Sequence, residues 1–179
     1  MLSKFGVVPQ PLPASEIYSA LEKGTLDAAE WVGPYDDQRL GLNRVCKFYY
    51  YPGWWDGSAQ ISIYINSKKW AELPLEYQAI LEMACADAHV EMMAAYDAKN
   101  AVALKQFLES GTQLRVFSEE IMDVAYKFTK ELCEEFAAKN PKFKKVYEDF
   151  QQFRDGQFQW FRVAELAFQN YAFTKVGTR

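Results

Sequence analysis

From Leu75 to Ser110 apolar residues recur at steps of three and four, with Tyr77, Ile80, Leu81, Ala84, Ala88, Met92, Ala95, Leu104 and Phe107 in the series, and the run stops at Gly111. That period predicts one long helix, and the pattern allows a break near Asn100. Half of the 179 residues are hydrophobic, so a substantial core can form without disulfide staples.

The texture before this helix is different. Val7 to Leu12 can be extended, Pro13 to Glu16 opens a helix that runs through Glu22 to a stop at Gly24, and Thr25 to Val32 is strand-like. Asp36 to Arg44 suits a short helix. Two extended runs follow, Lys47 to Tyr51 and Ala59 to Ile65, the second with Ile61, Ile63 and Ile65 on one face. These residues read as an α/β pattern.

Beyond Gly111 come a short extended piece, Thr112 to Phe117, and a helix opened by Ser118-Glu119-Glu120 that ends at Asn140-Pro141. A last helix covers roughly Lys142 to Phe173. Its aromatic residues, Phe150, Phe153, Phe158, Trp160, Phe168 and Tyr171 among them, occupy more of the circumference than one core stripe needs. A second chain or a further domain is the expected cover, with a wedge between two layers of the same fold as the alternative. At the other end, Met1 to Gly6 reads as the last turn of a helix stopped by glycine, which suggests a piece of a longer chain, with a native short N-terminal helix as the alternative.

Twenty basic and twenty-four acidic residues leave a net charge of -4, too mild and too evenly spread to indicate nucleic acid. Cys46, Cys85 and Cys133 are widely spaced and odd in number, so free thiols are expected and the compartment is left open. His89 follows Cys85 by one helical turn, but two ligands do not make a zinc site, and a packed or surface histidine is the expectation. No Gly-rich phosphate loop and no nucleophile elbow occurs.

One short segment resists a purely structural account. In AEWVGPYDD an apolar run ends on Glu30 and Trp31 just before the Gly33-Pro34 turn, and a carboxylate there requires a partner. Glu30 and Asp56 can be written as the acid/base pair of a small hydrolase, a weak reading since two carboxylates near strand ends are common. Taken alone, Glu30 is more simply a carboxylate paired with lysine or a helix N-terminus, and Trp31, Trp54 and Trp55 are core filling.

ALEKGTLDAAEWVGPYDDQRLGL and the later YYYPGWWDG resemble the periplasmic solute-binding receptors of TRAP (tripartite ATP-independent periplasmic) transporters, in the branch that binds 2-oxo acids and related monocarboxylates. The similarity continues weakly through NSKKWAELPLEYQAILEMACADAHVEMMAAYDAKN into the last helices. The resemblance implies an α/β class, specifically the C-terminal part of a two-lobe periplasmic-binding-protein-like fold, with a spanning helix and an extended C-terminal helix. It divides the chain into a partial ligand-binding lobe over 1–66, the spanning helix and a short strand over 67–117, and C-terminal helices over 118–179 as a candidate dimerisation element. The signal peptide and the first lobe, with an arginine that pairs with the substrate carboxylate, would lie upstream. Neither Arg39 nor Arg44 is given that role.

By the same resemblance Glu30 supplies a carboxylate to a cation, Trp31 its backbone carbonyl, and Asp56 a further ligand where relatives have Glu or Gln. Glu30, Trp31, Trp54 and Trp55 would border the substrate. A cation explains the chemistry, because a carboxylate facing an organic anion at close approach repels it by about 4 kcal/mol at an effective dielectric of about 20. Na⁺ or Ca²⁺, which take oxygen ligands in flexible geometry, reverses that sign. The expectation is a periplasmic, non-enzymatic binding protein for a small organic acid anion, working with TRAP membrane subunits and forming a homodimer through its last helix. Its rival is a ligand-incompetent self-association module.

Overall fold

The computed structural model describes residues 1–55 and 61–176, which fall into two compact units, Pro9–Glu119 and Met1–Val8 with Glu120–Arg179. In the first unit α1 (Ala14–Glu22) ends where Gly24 takes φ 67°, a left-handed conformation that allows Thr25 N–H to reach back to the Ala20 carbonyl at 2.9 Å. Pro34 stands at the first turn of α2 (Pro34–Arg39), where its missing N–H costs nothing. The single short helix expected over Asp36 to Arg44 is instead α2 followed by α3 (Leu42–Val45). Gly41 separates them at φ 77°, and Tyr18 packs so closely there that an added Cβ would lie 3.3 Å from its ring.

Phe48–Tyr51 forms β1 and Gln113–Val116 forms β2, paired in parallel with Phe48 opposite Gln113 and Tyr51 opposite Val116. Parallel strands need a long crossover, supplied here by α4 (Ser67–Glu72) and α5 (Leu75–Glu109). Asn66 starts α4 by accepting from the N–H groups of Lys68 and Lys69. Between α4 and α5 the Gln78 side chain donates to the carbonyls of Trp70 and Leu73, holding the tight Pro74 junction.

The long helix is present and unbroken. Asn100, the expected weak point, turns its side chain away from its own helix and accepts from Tyr35 N–H at 2.9 Å. It therefore caps α2 from outside, a role that leaves the α5 ladder intact. Ala103 and Phe107 are buried at the covered end of α5, with Phe107 only 1% exposed and its ring edge-on to Tyr49 at 5.3 Å.

Two strand-like expectations are corrected. Thr25 to Val32 forms no strand, and neither does Ile61–Ile65, the described part of the run expected from Ala59, while Val7 to Leu12 belongs to no helix or sheet. Among the described residues the only sheet is the β1–β2 pair, so these segments have no ladder to join. At Val32 and Gly33 the reason is local as well, since both N–H groups donate to the Asp37 carboxylate rather than to a neighbouring strand.

In the second unit Leu2–Phe5 is a 3-10 turn stopped by Gly6 at φ 78°. It is fastened to α6 (Glu119–Lys139) by Phe5 against Phe128, edge-on at 5.0 Å, and by the Lys4–Glu131 ion pair at 2.7 Å. Asn140 caps α7 (Pro141–Phe161), accepting from Lys142 and Phe143 N–H, and Pro141 follows at the first turn. Phe143 stacks on Tyr147 and meets Phe136 of α6. The expected last helix continues past α7 through a π-helical turn, Arg162–Leu166, into α8 (Ala167–Val176). Phe150, Phe153, Phe158, Trp160, Phe168 and Phe173 are all exposed along it.

Candidate functional site

The unit Pro9–Glu119 carries a cleft of about 1060 Å³. One wall is the irregular stretch from Asp27 to Pro34, which brings Glu30 and Trp31 to it. β1 and the residues after it, including Tyr49 and Trp55, also line it, as do Leu104 and Phe107 of α5. Trp54 meets Trp55 edge-on, with ring centroids 4.9 Å apart. Glu30, Trp31 and Trp55 therefore border one cleft, while Asp56 lies outside the described residues.

The wall that carries Glu30 is held by a buried carboxylate. Asp37, 5% exposed, accepts from Val32 N–H and Gly33 N–H at 3.3 Å each and from the Tyr49 hydroxyl at 2.6 Å. Burial pushes its carboxyl above the ordinary value; Asp36 nearby adds to that, and the three donors work against it. Burial and the bond to Asp37 push the Tyr49 phenol strongly upward in turn. The Cys46 thiol is also raised, by burial and then by the Asp37 charge, which holds it as an unreactive thiol. These effects keep Tyr49 protonated as a donor and make the Asp37–Tyr49 bond a fixed strut between the two walls.

Asp37, Tyr49 and Asn100 are the residues that sequence reasoning missed. Asp37 had a signal, an acidic residue in the first turn of a helix begun by Gly-Pro. Tyr49 is one of three successive tyrosines, and nothing local distinguishes it. Asn100 acts through a contact with a residue far away in the chain, invisible to any local pattern.

A hard cation fits what the cleft offers at Glu30 and Trp31, a carboxylate and a main-chain carbonyl, both oxygen donors. Among the described residues no group of three or more His, Cys, Asp or Glu side chains is arranged to hold a metal. Cys85 and His89 are both exposed on α5 and outside any such group, and the three cysteines are free. No helix among the described residues is long and apolar enough to cross a membrane.

The model of bacterial extracellular solute-binding proteins, family 7 (DctP), matches residues 1–140. The chain belongs to this family. The family 7 chain is 47% identical over 172 residues to a monocarboxylate 2-oxoacid-binding periplasmic protein of Nostoc sp., covering 96% of itself and 47% of that protein. Its fold matches a TRAP transporter solute-binding protein of Bordetella bronchiseptica with a TM-score of 0.94 at 49% identity, over 98% of this chain and 52% of the other. That protein was crystallised as a mixed-occupancy dimer, one site holding calcium and picolinate and the other apo. A TRAP periplasmic solute-binding protein of Pseudoalteromonas atlantica, with bound sodium and pyruvate, matches with a TM-score of 0.82 at 31% identity, over 94% of this chain and 52% of the other.

The family 7 chain thus spans about half the length of the relatives it matches. The resemblance drawn from AEWVGPYDD and YPGWWDG is upheld, as are the helix-rich partial fold and the long helix. Family and neighbours are transport receptors rather than enzymes.

Proposed function

We propose that this chain forms part of a TRAP solute-binding receptor that captures a small 2-oxo or 2-hydroxy monocarboxylate through a bound Na⁺ or Ca²⁺ and delivers it to membrane subunits. The observation that carries the reading is the shared cleft of Glu30, Trp31 and Trp55. Glu30 and the Trp31 carbonyl are the proposed cation ligands, with Asp56 as a third. The cation supplies the positive charge that lets an organic acid approach an acidic rim. Trp55 forms an aromatic boundary that excludes water on one side, and Trp54, which is not among the lining residues, supports it through the edge-on contact. The calcium or sodium bound with picolinate or pyruvate in the relatives supports the ion and substrate class, and the periplasmic relatives support that compartment.

Calorimetry with pyruvate tests this. Binding is expected in calcium or sodium buffer and to weaken by about tenfold or more in Glu30→Gln, since loss of one charged partner leaves the other uncompensated. Equal pyruvate affinity in a chelated, sodium-free buffer would exclude cation bridging.

A second element is self-association through the helices of residues 118–179. The exposed aromatic residues of α7 and α8 support it, because apolar surface of that extent is uncommon on a monomer. Light scattering at high concentration is the check, and a strictly monomeric chain removes the dimer.

A further inference from the structure

Charge is balanced over the chain as a whole, but from Phe136 to Tyr147 it carries four lysines, Lys139, Lys142, Lys144 and Lys145, and no acidic residue. They fall on the last turn of α6 and the start of α7, and all four are exposed. The acids on either side are already engaged. Glu131 and Glu135 face Lys4 at 2.7 and 3.9 Å, Glu134 pairs with Lys130 at 3.8 Å, and Glu148 pairs with Lys144 at 3.7 Å. Among the described residues Lys139, Lys142 and Lys145 make no ion pair, which leaves three ammonium groups against the one unpaired acid of the next turn, Asp149. The first turn of α7 holds no acidic residue, so the positive end of its dipole adds to the lysines. Apolar groups stand among these charges, with Phe136 57% and Val146 69% exposed. Lys145 and Val146 follow Lys142 by three and four residues, so the three share one side of α7. Phe143 stacks on Tyr147 and meets the Phe136 ring at 5.8 Å, which fixes the corner between the two helices.

We infer that the α6–α7 corner is a contact surface for an anionic lipid bilayer, with Lys139, Lys142 and Lys145 on headgroup phosphates and Phe136 and Val146 at the boundary with the acyl chains. Each unpaired lysine adds to the attraction of a negative surface that lies within a screening length. Ammonium groups on flexible stems reach mobile phosphates without a fixed geometry, while the apolar side chains beside them enter the edge of the bilayer. An acidic polypeptide is the poorer fit, because the planar arginine fork that suits fixed carboxylates does not occur between Phe136 and Tyr147. Such a contact holds a receptor on the plane in which its membrane subunits lie. It requires neither cation nor organic acid, so it is independent of the cation-bridging reading.

Vesicle sedimentation tests this, with the whole chain in a potassium buffer that contains chelator and no organic acid. Binding is expected to vesicles of equal parts phosphatidylglycerol and phosphatidylcholine, not to phosphatidylcholine alone, and is expected to fall as salt is raised. Lys142→Glu combined with Lys145→Glu should weaken it by about tenfold or more. Lys68→Glu combined with Lys69→Glu, the same change in net charge placed on α4, should leave it intact. Acidic residues suit the start of a helix, so both double variants should keep their helicity, which circular dichroism checks. No binding, or equal binding to neutral vesicles, overturns the inference. So does binding to the anionic vesicles that the Lys142/Lys145 variant leaves unchanged, or that the Lys68/Lys69 variant weakens as much. Capture of polyglutamate as tightly as of the anionic vesicles overturns it too, because the partner is then an acidic polypeptide. A dimer that the Lys142/Lys145 variant dissolves has the same force, since the partner is then a second copy. Because binding is read without Na⁺, Ca²⁺ or substrate, its failure is separable from failure of the cation-bridging reading.

Discussion

Tyr49 donates its hydroxyl proton to Asp37 across 2.6 Å, tying β1 to the turn that follows Glu30. Two walls of the cleft are thereby joined by a single side-chain bond beneath the surface. Removing the hydroxyl leaves a buried carboxylate with one donor fewer. Tyr49→Phe is therefore expected to lower stability by about 1–3 kcal/mol, the usual cost of an unsatisfied buried group, read from the urea midpoint at constant slope.

Asp37 also has a pH signature. Its folded carboxyl is raised above the ordinary 3.8, so between that value and the folded one the native state holds the proton that the unfolded state has released. The unfolded state then binds fewer protons, and stability contributed by this group falls as pH rises through the window, levelling off above the folded value. Asp37→Asn removes that slope. The difference in unfolding free energy between the two proteins, measured at successive pH values from 3.8 upward, should change in favour of the variant and then become constant.

Asn100 caps a helix other than its own. Asn100→Ala leaves Tyr35 N–H without its acceptor, and the expected loss is about 1 kcal/mol, typical of a helix cap. Amide exchange at Tyr35 should accelerate more than exchange within α5, because α5 loses no hydrogen bond of its own.

The Lys4–Glu131 pair fastens the first turn to α6 at the surface, and Lys4 holds the Glu131 carboxyl below its ordinary value. Glu131→Gln is expected to change stability only slightly, with the difference shrinking in high salt. The Phe5–Phe128 contact is the stronger anchor, so Phe5→Ala should cost several times more.

What the residues revealed in advance follows their physics. α5, α6 and the last helix were legible because a three-to-four period and stops such as Gly111 or Asn140-Pro141 are local properties. Thr25 to Val32 was not, because an apolar run becomes a strand only beside another strand, and here Asp37 takes the N–H of Val32 and that of Gly33 just after it. The π-turn at Arg162–Leu166 leaves no mark in the pattern at all. At the site, Glu30, Trp31 and Trp55 were singled out through resemblance rather than spacing. The strut behind them, Asp37 with Tyr49, depends on contacts that only the folded chain makes.

The parallel pairing of β1 with β2 carries a kinetic consequence. Phe48 can meet Gln113 only after the helical crossover between them has been made, so this ladder is a late event in folding. Until then the aromatic strand Phe48–Tyr51 presents an unmatched edge to its surroundings. Refolding at high concentration should lose material through that edge first, and conditions that speed α5 formation should raise the yield of soluble chain.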